Sequence, residues 1–261
     1  NGTANFNGTT SFTNGTFGLV MVDDSTVTFA NQATFDNFTD TAISISGANA
    51  KFTSPGDIVI TDAGTGMSLL NTSLTLGNNI NISQDDGVAT NGIISTGTSN
   101  IFNGNIIASN LQGTGIILDN STDAFNGTLS ISDNAKGLSI INGSTPSFAK
   151  DITVSNSSDT AIYIDNASPA FNTNLILTDN QKSIQVLGAA SNANFNKDVT
   201  ITQPNLAAAV GNVGLTVDGA TVNFAANQLF SVDGVHTGAN ISNNGTANFN
   251  GTTSFTNGTF G

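Results

Sequence analysis

Arginine, glutamate, cysteine and tryptophan are absent from this chain of 261 residues, and histidine and tyrosine occur once each, at His236 and Tyr163. Without cysteine there are no disulfides and no thiolate metal sites, and a large fold with a continuous core needs neither. Only five residues are basic, all of them lysine, against eighteen aspartates, for a net charge of −13. Gripping a phosphate backbone takes clustered Lys and Arg, so nucleic acid is excluded as a partner. No apolar run reaches the roughly eighteen residues that suggest a membrane-spanning helix. The good helix formers Glu, Arg, Lys, Gln and Leu are missing or scarce, which argues against helices.

What is present in quantity is Asn, Gly, Thr, Ser, Ile, Val and Phe, the residues of turns and strands. Internal repetition organises them on two scales. Residues 1–18 read NGTANFNGTTSFTNGTFG, and residues 244–261 repeat those letters without a change, a shift of 243 residues. The expected organisation is a 243-residue unit in tandem, with 1–243 one complete unit and 244–261 the start of the next identical one.

Within the unit a Phe recurs in a small, polar setting: Phe6, Phe29, Phe52, then Leu76 as a substitute, then Phe102, Phe125, Phe148, Phe171, Phe195, Phe224 and Phe249. The intervals are 23 to 29 residues, ten of them spanning 243. Pairs of aliphatics two apart follow each regular Phe: Ile80 and Ile82, Leu129 and Ile131, Ile152 and Val154, Leu175 and Leu177, Val199 and Ile201. After a turn comes another such pair: Ile116 and Leu118, Leu138 and Ile140, Ile162 and Ile164, Ile184 and Val186, Leu215 and Val217. Alternation of this kind marks the inward face of a strand. Three short strands and three turns per coil predict an all-β chain folded as a right-handed parallel β-helix, a β-solenoid of about ten coils of 23–29 residues per 243-residue repeat. At about 4.8 Å per coil, one unit extends roughly 48 Å, with a ladder of Phe and two of aliphatics inside.

Asp62, Asn110, Asp133, Asn156 and Asp179 fall once per coil between the second and third strands, where Asn and Asp tolerate the left-handed backbone conformation. Stacked Asn side chains can also bond to those above and below. Two of these turns are long. Residues 84–91 include Asp85 and Asp86, and residues 202–212 include the apolar run from Leu206 to Val210. Both are candidates for lateral contact with another fibre. For the second, folding back over its own coil is the favoured reading, because an exposed apolar run without a partner is costly.

Chemistry finds little purchase. Polysaccharide lyases built on parallel β-helices use a cationic base, commonly Arg, with bound calcium, and hydrolases need clustered carboxylates. Here Lys51, Lys136, Lys150, Lys182 and Lys197 are scattered singly, and the only adjacent acids, Asp23 with Asp24 and Asp85 with Asp86, fall in turns. His236 has no second His or Cys to complete a transition-metal site. No catalytic residue, cofactor or metal is expected. Asn71, Asn120, Asn142, Asn166 and Asn244 open Asn-x-Ser/Thr sequons near the turn after the third strand; they are candidate glycan sites, with turn formation alone as the competing explanation. An ice-binding face would need matched outward Thr columns. Thr26 and Thr28, then Ser44 and Ser46, then Val59 and Thr61 give only ragged ones.

Phe-Asn in the first strand (Phe6, Phe102, Phe125, Phe171, Phe195), paired aliphatics in the next two and Asn/Gly/Ser turns throughout make the whole chain similar to tandem-repeat surface adhesins of bacteria, the autotransporter passengers and filamentous haemagglutinin-type proteins. The resemblance implies an extracellular, cell-surface location and a structural role, as filament or stalk giving reach, coating or adhesion. Its implied partners are further copies, end to end or laterally, and cell-surface glycans. A module binding carbohydrate or a host surface is the alternative.

Overall fold

A computed structural model describes residues 2–85, 90–205 and 211–259. Among these residues there is no helix; thirty strands, from Thr3–Phe6 to Thr252–Thr256, stack in parallel as a β-solenoid of about ten turns. A representative coil uses Ala170–Phe171, Leu175–Thr178 and Lys182–Leu187 as its three strands. Each pairs in register with its counterpart one coil on: Phe171 with Phe195, Leu177 with Ile201, Ile184 with Leu215. The aliphatic pairs expected on the second and third strands all point inward and are buried, because side chains alternate and only one face of each sheet sees the core.

The Phe ladder is nearly continuous. Ring centroids lie 4.8 Å apart for Phe102 and Phe125, 5.3 Å for Phe148 and Phe171, and 4.9 Å for Phe171 and Phe195, with planes within 3° of parallel. Leu76 takes its rung beneath Phe102. Phe52 departs from the expected ladder. Val27, not Phe29, is its register partner, so its ring meets Phe29 at 61° instead of stacking. The cause is a mismatch of lengths: the two Phe are 23 residues apart, whereas the second strands of these coils align Ala33 with Ile58, two residues more. Early and late coils also carry Phe on the second strand; Phe12 stacks on Phe35 at 5.0 Å, and Phe230 stands beside Phe249 at 5.3 Å.

Asp62, Asn110, Asp133, Asn156 and Asp179 all have positive φ, between 50° and 60°, as their turns require. In two coils the bend is tight enough that Ala33–Ser46 and Ile58–Leu70 run through it as single strands. Buried amides reinforce this corner. Asn134 accepts from the Leu111 N–H at 2.7 Å and donates to the Ala108 carbonyl at 3.1 Å, and Asn180 repeats the pattern with Ser157 and Val154. At the start of the third strands stands a column of small residues, among them Gly92, Gly115, Gly137 and Gly214. A Cβ on Gly137 would run into the Ala161 carbonyl oxygen and Val154 Cγ1.

Candidate functional site

Among the described residues the solenoid presents stacked outer columns, a buried polar cluster around Asp123 and two end coils, and these are the candidate places for function. The second strand carries the most regular exterior. Its outward residues are Ser130 and Ser132 in one coil, Thr153 and Ser155 in the next, Ile176 and Thr178 above them, then Thr200 and Thr202. The three residue pairs that looked ragged in sequence lie on three different strands: Thr26–Phe29, Ala33–Ser46 beyond its bend, and Ile58–Leu70 before its bend. Their own columns stay mixed, Thr26 standing with Lys51 and Ser44 with Val20; it is further along the second strand, from Ser83 to Thr202, that hydroxyls succeed one another coil by coil.

Asparagine ladders run beside the first strand. Asn126 Nδ2 donates to Asn103 Oδ1 at 2.8 Å, Asn196 to Asn172 at 2.8 Å, and Asn248 to Asn223 at 2.8 Å. The sequon residues Asn71, Asn120, Asn142, Asn166 and Asn244 all have positive φ, from 50° to 62°. They are structural turn residues, whether or not they carry sugar. Asn142 also donates to Asp119 at 2.8 Å. Asp24 likewise has φ of 61°, and Asp23 accepts from the Asn49 N–H at 2.9 Å, so this acidic pair belongs to a turn. Of the proposed lateral contacts, Asp85 is exposed and its N–H donates to Asp62 at 2.8 Å; Asp86, Leu206 and Val210 lie outside the described residues.

The interior holds a carboxylate that sequence reading missed. Asp123 is fully buried and accepts from Ser95 Oγ at 2.6 Å, Thr98 Oγ1 at 2.9 Å and the Asn100 N–H at 2.6 Å. Asn100 in turn accepts from Thr72 Oγ1 at 3.0 Å and the Leu74 N–H at 2.8 Å. Burial pushes the Asp123 carboxyl above its ordinary range, against the pull of bonds from Ser95, Asn100 and Thr98. No cation faces it within this cluster. The signal was available: two positions before the marker residue, the column is otherwise apolar, with Leu74, Pro146, Pro169, Ala193 and Val222, and it turns polar only at Asn100 and Asp123.

Two lysines that are scattered in sequence meet in space. Lys182 Nζ lies 3.0 Å and Lys136 Nζ 3.9 Å from Asp159, and Lys136 sits 4.1 Å over the Tyr163 ring. Partial burial works against the charge of Asp159, but the lysines outweigh it and hold the carboxyl below its ordinary range. His236 occupies a bend, with Nδ1 3.3 Å from Thr237 Oγ1.

The two end coils share the eighteen-residue sequence and the angle at which its two Phe rings meet. Phe6 meets Phe12 edge-on at 5.5 Å and 82°, and Phe249 meets Phe255 at 6.5 Å and 82°. Asn14 and Asn257 share positive φ, 60° and 53°. The first of these coils carries Thr26–Phe29 on one face; the second rests by its opposite face on Thr221–Phe224. Ile241, in register with fully buried Val217, is 46 % exposed, since no third strand stacks beyond it among the described residues.

Comparison with known protein families, with curated proteins and with solved structures finds no match to this chain. What fold and surface together define is a parallel β-solenoid protein with a hydroxyl-rich exterior and, at Asp123, a fully buried carboxylate.

Proposed function

We propose that the chain is a non-catalytic, structural segment of an extracellular surface filament, a rigid column in which 243-residue units follow one another without a break and give reach, coating or adhesion. One observation supports this above the rest. The eighteen-residue segment that occurs twice has one of its faces covered in its first copy and the other face covered in its second, with the same left-handed turn and the same edge-on ring angle in both. Splicing the two views gives a coil covered on both sides. Residues equivalent to Leu19–Met21 would then lie over exposed Ile241 and close the edge that invites aggregation. Repeat proteins gain stability from such neighbour interfaces and lose it at bare ends.

The test is a protein of two joined 243-residue units viewed by electron microscopy. One rod of about 96 Å, twice the length of a single unit at about 4.8 Å per coil, is the expected image. Two short bodies joined by a hinge would sink the reading.

A further inference from the structure

From Ser83 to Thr202, six successive coils place a hydroxyl at the same outward position of the second strand: Ser83, Ser109, Ser132, Ser155, Thr178 and Thr202 stand in register. Two residues earlier, the companion column runs Asn, Ile, Ser, Thr, Ile, Thr from Asn81 to Thr200. None of these twelve side chains is charged, in a chain whose net charge is −13. The same column passes to Asp233 beyond Thr202 and, through Thr61, to Asp36 before Ser83, so acids bound the uncharged stretch at its ends, and others stand along its sides, at Asp133 and Asp179 on one turn and at Asp57 and Asp151 on the other.

The backbone sets the spacing of this array. Adjacent coils are about 4.8 Å apart, and alternate residues of a strand about 6.6 Å apart, so the backbone positions that carry these side chains form a fixed two-dimensional grid, with hydroxyls at nine of its twelve points; along it Thr178 and Thr202 Oγ1 come within 3.4 Å of each other. No loop has to be ordered for the grid to exist. Among the hydroxyls, Ile107 and Ile176 are exposed by 44 % and 41 % and lie three coils apart.

We propose that this second-strand face binds the surface of an ice crystal. Its hydroxyls hold a layer of water at the period of the sheet, and its methyl and isoleucine groups leave the water between them to bond with itself. The chemistry of the face selects this occupant. A polyion would need charge, which the grid lacks. The sugar-binding signature of an aromatic platform is missing from both columns. A second copy laid face to face would bring two sets of acidic borders together, and like charges repel. A neutral lattice of hydrogen-bonding groups meets none of these objections, and a grid rigid before contact loses little entropy on binding it.

The experiment is to cool the 261-residue chain around a single ice crystal and measure the gap between freezing and melting points, together with crystal shape. A concentration-dependent gap and faceted crystals are expected. Thr153→Lys and Ser130→Lys, both outward on the grid, should abolish the gap while circular dichroism and the melting temperature stay unchanged. Ser68→Lys, on the outer face of the third strand, should keep it. The proposal is overturned if the folded parent chain gives no gap, or if both grid variants retain it. It is equally overturned if the face instead retains the chain on insoluble neutral polysaccharide or drives a dimer in sedimentation without any gap. Since the grid lies along the side of the column and the unit-to-unit contact at its ends, either outcome leaves the filament reading to its own test.

Discussion

Phe249 stacks on Phe224 with ring centroids 5.0 Å apart and planes 5° from parallel. Phe224 stands in the same manner on Phe195, also at 5.0 Å. The spacing is close to the distance between strands in a sheet, so offset-stacked rings and backbone ladders impose one period on the core. Phe171, fully buried between Phe148 and Phe195, tests what a rung is worth. Phe171→Ala should destabilise by about 3–5 kcal/mol in urea unfolding, the usual range for a buried Phe. Phe17→Ala, at a residue 49 % exposed, should fall within about 0.5 kcal/mol of the parent.

Asp123 makes a pH prediction whose sign follows from its raised pKa. A carboxyl that ionises less readily when folded favours the folded state most while protonated, so its contribution is full below the unfolded value near 3.8 and is lost as pH rises through the folded value. Asp123→Asn removes that titration. The difference in melting temperature between variant and parent should shift in favour of the variant as pH rises from below 3.8 toward neutrality. A difference independent of pH would place the cost of this residue elsewhere.

Asn156 holds φ of 55° and donates from Nδ2 to Asp133 at 2.9 Å. Asn156→Ala keeps the left-handed backbone without a side chain that eases it, and should cost about 1–2 kcal/mol. Asn156→Gly, which adopts that conformation freely, should recover most of the loss in the same unfolding assay.

Gly137 offers a steric test. Because the obstacle to a Cβ there includes the Ala161 carbonyl as well as Val154, Gly137→Val cannot be relieved by turning a side chain alone. The variant should lose several kcal/mol or fail to fold as a cooperative column, read as a lowered and broadened thermal transition.

The solenoid was legible in the sequence because its signals are local and repeated. Ile152 with Val154 and Ile162 with Ile164 reveal their inward faces by spacing alone, and Asp133 or Asn156 at the bend needs only its own backbone preference. Features that depend on aligning coils were not. The Asp123 cluster joins Ser95, Thr98 and Asn100 from the coil before, and the Lys136–Asp159–Lys182 group joins residues 46 positions apart. Phe52 sits in the wrong register for a ladder counted from Phe alone, because the second strand, longer and better paired, sets the alignment. The hydroxyl grid was hidden by comparing pairs from three different strands of the coil.

The hydrogen bonds between coils, such as those from Ala124 to Asn100 and from Ser147 to Asp123, run along the axis of the column, the direction of a force applied to its two ends. Tension therefore meets them one coil at a time, as the teeth of a zip, and not all together in shear. Each coil that opens releases 23 to 29 residues, roughly 80–100 Å of slack at about 3.5 Å per residue. Under load such a column pays out in steps, each many times the height of the coil that opened, and the coils still closed keep their shape.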